Sequence, residues 1–108
     1  MKWKVTFFSE RVEKDTLGFP TGILANLIHI LELIEEFGPN LGKPHTAPMK
    51  DGLFEIRAKG KEGIGRSLFC TQSGKEVVIL HSFIKKTQKT PQKELDKARK
   101  RLKELNDG

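Results

Sequence analysis

LFEIRAKGKEGIGRSLFCTQSGKEVVILHSFI, residues 53–84, is the stretch that decides the fold. Turn residues break it into three extended runs. In the first, residues 53–59, Phe54, Ile56 and Ala58 alternate with Glu55, Arg57 and Lys59. That period of two puts apolar and polar side chains on opposite faces of a sheet. A glycine-rich turn over 60–65 leads to a second run, 66–71, and Ser73-Gly74 turns again before the most apolar run, 77–84. Three such runs joined by turns predict a meander of antiparallel strands.

Upstream, Trp3, Val5 and Phe7 alternate with Lys4, Thr6 and Phe8, which predicts another strand over 3–8. Ser9 can cap a short helix from Glu10 to about Leu17, with acids in its first turn where the helix dipole favours them. Gly18 and Pro20 punctuate. Over 23–37, Leu24, Leu27, Ile28, Leu31 and Ile34 recur at spacings of three and four, while Ile23, Ile30, Leu33 and Phe37 widen the stripe, so this helix is mostly buried. Gly38-Pro39 ends it, and the segment to Pro48 reads as a tethered loop. Thr90 as N-cap and Pro91 at the first helical position open a last helix to about Leu105, with Leu95, Ala98, Leu102 and Leu105 as a narrow stripe. The fold class is therefore α+β: an antiparallel sheet of about four strands, two N-terminal helices packed on one face, and a C-terminal helix. With 108 residues, no internal repeat and no dividing linker, one domain over 1–108 is expected.

Charge then narrows the function classes. The formal net charge is +6. From Ser82 onward nine Lys and Arg face four acids, so this last quarter carries +5 of it. The apolar strand 77–84 stops in Lys85-Lys86-Thr87-Gln88-Lys89-Thr90-Pro91, which delivers cations to one fixed sheet edge and points to phosphate in RNA or DNA. The single cysteine, Cys70, excludes a disulfide framework and suits a reducing cytoplasm. No stretch reaches the roughly 18 apolar residues of a membrane span, and the opening apolar run is too short for a signal peptide, so a protein without membrane contact is expected. His29, His45 and His81 lack metal-ligand spacing, and no cysteine or paired carboxylate joins them, so neither metal nor cofactor is expected.

If Phe54, Ile56 and Ala58 pack on the helices, then Glu55, Arg57 and Lys59 line an opposite, open sheet face. That row is either a solvated strand face with a cross-strand ion pair, or a site in which Arg57 grips phosphate through its planar fork and Glu55 accepts a proton. Arg66, directly after the glycine turn, is either a surface residue or a second cation over the same face. His29 reads as a core or helix-edge histidine, and His81 as packed or turned toward the same cleft.

Gly52-Leu53-Phe54-Glu55-Ile56-Arg57, the later Arg66, and Leu80-His81-Ser82-Phe83-Ile84-Lys85-Lys86-Thr87-Gln88-Lys89-Thr90-Pro91 together resemble the phage-derived Gp49-like, HigB-type branch of the RelE/ParE toxin superfamily. The likeness runs from Trp3 to about Leu105. It implies a small RelE-like fold and a type II toxin, a ribosome-dependent messenger endoribonuclease held inactive by a co-expressed antitoxin, often a helix-turn-helix protein. It implies metal-free attack of the ribose 2′-OH on the adjacent phosphate. Carried over by position, Arg57 and Arg66 clamp the phosphate, and Lys85 and Lys86 stabilise charge or transfer a proton. Glu55 is a general base or the partner that orients the arginines. Lys59, Lys89 and Thr90 are expected to contact the RNA. Related RNases often place a tyrosine or histidine near the C-terminus; this chain has no tyrosine, and His81 is the residue that can substitute. Two other functions fit the same features, a ParE-type gyrase inhibitor and a non-catalytic basic module that binds nucleic acid.

Overall fold

The computed structural model describes residues 2–85 and 89–108. The elements run β1 (Lys4–Phe7), α1 (Glu10–Leu17), α2 (Thr21–Phe37), β2 (Thr46–Pro48), β3 (Phe54–Gly60), β4 (Gly63–Gln72), β5 (Glu76–Lys85) and α3 (Gln92–Asp107). The sheet has five strands in the order β1-β5-β4-β3-β2. Strands β3, β4 and β5 form the antiparallel meander that the sequence pattern predicts. The sheet is nonetheless mixed, because β1 lies parallel to β5. The fifth strand, β2, comes from the stretch read as a loop. It is three residues long and sits at the edge, where the missing N–H of Pro48 does no damage to a ladder.

Both faces of the sheet are covered. Ile23, Leu27, Ile30 and Ile34 of α2 pack with Val12 of α1 against a strand face that includes Ile56 and Phe69. On the other face Leu68, Cys70, Val78 and Leu80 meet Ala98, with Leu95, Leu102 and Leu105 around them. The expectation of an open face opposite α1 and α2 is therefore corrected over β4 and β5. Those strands are apolar on both sides, as strands buried on both faces must be, and α3 supplies the second cover.

A β-bulge then decides which side chains reach that second face. Leu68 pairs with His81 and Phe69 with Ile79, so Leu80 is the extra residue on β5. The extra residue shifts the alternation by one. His81 thereby joins Val78 and Leu80 on the α3 side, and Ser82 turns to the α1 side. There the Ser82 hydroxyl lies 2.7 Å from Thr16 Oγ1 and 2.8 Å from Ser67 Oγ, and Thr16 donates to the Val12 carbonyl at 2.7 Å.

The β3–β4 hairpin is pressed onto the start of α2. Ser9 caps α1 as expected, accepting from Val12 N–H at 3.2 Å, but α2 has no side-chain cap of its own. Instead the Glu62 carboxylate, from the hairpin turn, accepts the Gly22 N–H at 2.9 Å. That bond holds the Glu62 carboxyl below its ordinary pKa. The approach requires glycine at position 60, where a Cβ would meet the Ile23 backbone nitrogen and lie 2.6 Å from the Gly22 carbonyl carbon. Backbone cannot give way as a side chain can, so Gly60→Ala lowers stability by about 1–3 kcal/mol. Urea unfolding reads this loss, and a midpoint equal to the parent's would mean that the hairpin and α2 are not in fixed contact.

Among the described residues no single helix is long and apolar enough to cross a membrane. Cys70 is buried without a disulfide, and that burial pushes its thiol pKa up.

Candidate active site

The alternation of β3 sets Glu55 and Arg57 on the face shared with Leu53, and the antiparallel register places Arg57 directly opposite Arg66 of β4. Like charges in that position repel across a strand pair. Glu55 answers half of this. Its Oε1 accepts from Arg66 Nη1 in an ion pair whose members are only 3% and 5% exposed. Its Oε2 accepts from the Thr90 hydroxyl at 2.7 Å. Both carboxylate oxygens are thus occupied, one by a strand neighbour and one by the segment that leads into α3.

Arg66 pays for its position electrostatically. Burial pulls its pKa below the ordinary arginine value, Glu55 acts against that shift, and the Arg57 charge adds to it. Arg57 has no such compensation among the described residues. It is half-buried, and its Nε is shielded from solvent with no hydrogen-bond partner. Such an orphaned donor on a cation costs free energy in the unliganded protein. An incoming anion would satisfy it.

Thr90 does not cap α3. Pro91 holds the N-cap position without a side-chain hydrogen bond, since the threonine hydroxyl is committed to Glu55. Thr90, just before α3, is thereby tied to the Glu55–Arg66 pair.

His81 is on the same sheet face but already engaged by α3. Its Nε2 lies 2.9 Å from Glu94 Oε1, and its Nδ1 lies 3.5 Å from Arg101 Nη1. Since a guanidinium only donates, the Arg101 contact makes Nδ1 the acceptor, and Nε2–H then donates to Glu94. The ring also stacks on Phe83, with centroids 5.4 Å apart. Arg101 is fixed in turn by the Leu80 carbonyl at 2.7 Å, a carbonyl at the bulge. Glu94 and Arg101 were not singled out by the sequence reading. Their separation of seven residues, two helical turns, was the available signal that both share one face of the last helix.

The other candidates spread outward. Lys59 is exposed at the end of β3, with its N–H held by Asn26 Oδ1 at 2.8 Å. Lys89 is exposed just before Thr90. Lys85 closes β5 opposite Ile64. Lys86 lies outside the described residues. The structure thus brings Glu55, Arg57, Arg66 and Thr90 together and sets His81 apart in contacts with α3. Among the described residues, no group of three or more His, Cys, Asp or Glu side chains is placed to hold a metal ion.

The model of the phage derived protein Gp49-like family matches residues 14–103, most of the chain. No curated protein matches it. Among solved structures, the chain is similar to archaeal RelE in its RelE–RelB complex from Pyrococcus horikoshii OT3, with a TM-score of 0.56 at 17% identity, over 78% of this chain and 96% of that one. It is also similar to an arginine-to-alanine double mutant of the E. coli toxin RelE in the free state, with a TM-score of 0.60 at 16% identity, over 94% of this chain and 99% of that one. At such identities the likeness is one of fold, a small α+β RelE-like architecture.

Proposed function

The chain belongs to the phage derived Gp49-like family, and from that premise we propose that it is the toxin of a type II toxin–antitoxin pair, an endoribonuclease that cuts messenger RNA on the ribosome. The observation that carries the reading is the facing pair Arg57 and Arg66, with Arg66 neutralised by Glu55, Arg57 in no ion pair among the described residues, and the Nε of both arginines without a partner among them. Two arginines opposed across a ladder repel, which costs stability in the unliganded protein. A phosphate between or beside their forks offsets that repulsion.

In the proposed reaction the ribose 2′-oxygen attacks phosphorus, the bond from phosphorus to O5′ breaks, and a cyclic 2′,3′-phosphate and a 5′-OH result. The proton of the 2′-OH passes to a base, and O5′ gains one from an acid. Arg57 and Arg66 stabilise the charge of the pentacoordinate phosphorane, so the arginines provide what a metal would otherwise supply. Glu55 acts as a positioning residue, because both of its oxygens are already used. Lys85 and Lys86 are assigned the proton transfers. The partner is an antitoxin, by analogy with the RelE that was solved with RelB, and a helix-turn-helix protein is the form proposed.

A purified translation system tests this directly. The full chain is expected to cleave a message that is being translated and to leave the same message whole when ribosomes are omitted. An intact message under ribosome-saturating conditions overturns the reading.

A further inference from the structure

A cavity of about 250 Å³ opens at the end of β3, lined by Asn26, Pro44, His45, Arg57 and Lys59. Its walls are fixed by bonds within the chain. The His45 carbonyl accepts the Arg57 N–H at 2.9 Å, so the loop before β2 is tied to β3. The turn under His45 is closed twice, by Thr46 N–H to the Gly42 carbonyl and by Gly42 N–H to Thr46 Oγ1, both at 3.0 Å, with Thr46 itself buried. Asn26 spends its Oδ1 on the Lys59 N–H at 2.8 Å. Its NH2 is then the group left to offer a ligand.

The chemistry of the lining is one-sided. Arg57 and Lys59 are cations, Asn26 presents donors, and His45 has an imidazole that stands edge-on to His29 with centroids 6.4 Å apart. Among the described residues no carboxylate lines the cavity. Donors and cations without an acid select an anion. The volume falls just below the roughly 300–1,000 Å³ of small-molecule sites, which leaves room for a phosphate with part of its sugar. Arg57 also belongs to two places at once, since it lines this cavity while its charge is felt at Arg66.

We infer that this cavity is a phosphate subsite for the nucleotide next to the scissile one, in which Lys59 and Arg57 neutralise a backbone phosphate of single-stranded RNA and Asn26 and His45 hydrogen-bond to it. The assignment rests on reading Arg57 and Arg66 as the scissile-phosphate clamp. It adds what that reading lacks, a track for the RNA leading away from the reacting bond along the β3 edge.

The test uses a short single-stranded RNA with 2′-O-methyl riboses, which cannot be cleaved, titrated against the full chain by fluorescence anisotropy at several salt concentrations. Lys59→Met is expected to reduce the slope of log K against log salt by about 0.7, the release for one single-strand phosphate contact. Lys59→Arg restores it. Asn26→Leu weakens binding about tenfold at constant slope, as the loss of an uncharged hydrogen bond to a phosphate should. Slopes and affinities equal to the parent's in Lys59→Met and Asn26→Leu, with unchanged melting temperatures, overturn the subsite. So does binding of adenosine monophosphate as tight as that of the RNA, which would make the cavity a free-nucleotide site. Parent-like RNA binding by both variants of a chain that cleaves messages sinks the subsite alone. Cavity-dependent RNA binding by a chain that never cleaves sinks the nuclease reading alone.

Discussion

Replacing Glu55 with alanine is expected to cost about 3–5 kcal/mol of folding stability. Glu55 and Arg66 are both almost fully buried, and removing the carboxylate leaves a desolvated guanidinium whose Nε is already unpartnered. The Thr90 hydroxyl loses its acceptor in the same stroke. Glu55→Gln keeps the shape and one acceptor oxygen, so its loss should be smaller, about 1–3 kcal/mol. A double change to Glu55→Leu and Arg66→Met should recover much of the alanine loss, because apolar isosteres of a buried pair are often neutral. Urea unfolding reads all three variants. A Glu55→Ala midpoint within about 0.5 kcal/mol of the parent would mean that water reaches the pair. The same amide variant separates two roles in cleavage. Loss of a general base costs about 10²–10⁴ in rate and removes a limb of the pH profile. A positioning residue replaced by its amide leaves the shape of the profile unchanged.

Much of where the fold places the candidate residues was legible in the sequence, and what was not has identifiable causes. Phe54, Ile56 and Ala58 alternating with Glu55, Arg57 and Lys59 gave β3 and its faces, because the helix side needs apolar residues and the other side tolerates charge. The facing of Arg57 and Arg66 was out of reach, since register depends on where the hairpin turns, and Gly60 pairing with Gly63 leaves only Lys61 and Glu62 in the loop. The bulge at Leu80 was hidden as well. Strict alternation along 77–84 would have put Ser82 beside Leu80, whereas the structure sends His81 there and spends Ser82 on Thr16. The cover provided by α3 could have been read more fully. Leu95, Ala98, Leu102 and Leu105 form a narrow stripe in the sequence, and Leu68, Cys70, Val78 and Leu80 are its partner, a second apolar face on strands that already fill the first. Edge strand β2 left almost no signal, because three residues ending in proline make the same pattern as a loop.

Arg57→Ala is expected to slow message cleavage by about 10²–10³, the usual cost of removing one preorganised donor from a developing negative charge. Its effect on folding should have the opposite character to that of Glu55→Ala. Arg57 stands opposite another arginine, lowers the Arg66 pKa, and has a buried Nε without a partner among the described residues. Removing it relieves repulsion and an orphaned donor, so stability should stay within about 0.5 kcal/mol of the parent or rise above it. Arg57→Lys keeps the charge and loses the planar fork, which predicts a rate between those of the parent and the alanine variant. Single-turnover cleavage and urea unfolding on the same preparations give both numbers. A variant that cleaves at the parental rate removes Arg57 from the chemistry, and one that unfolds as easily as Glu55→Ala makes it a structural residue. Slower cleavage together with unchanged or raised stability in Arg57→Ala is thus the expected signature of a side chain kept for the proposed chemistry and not for folding.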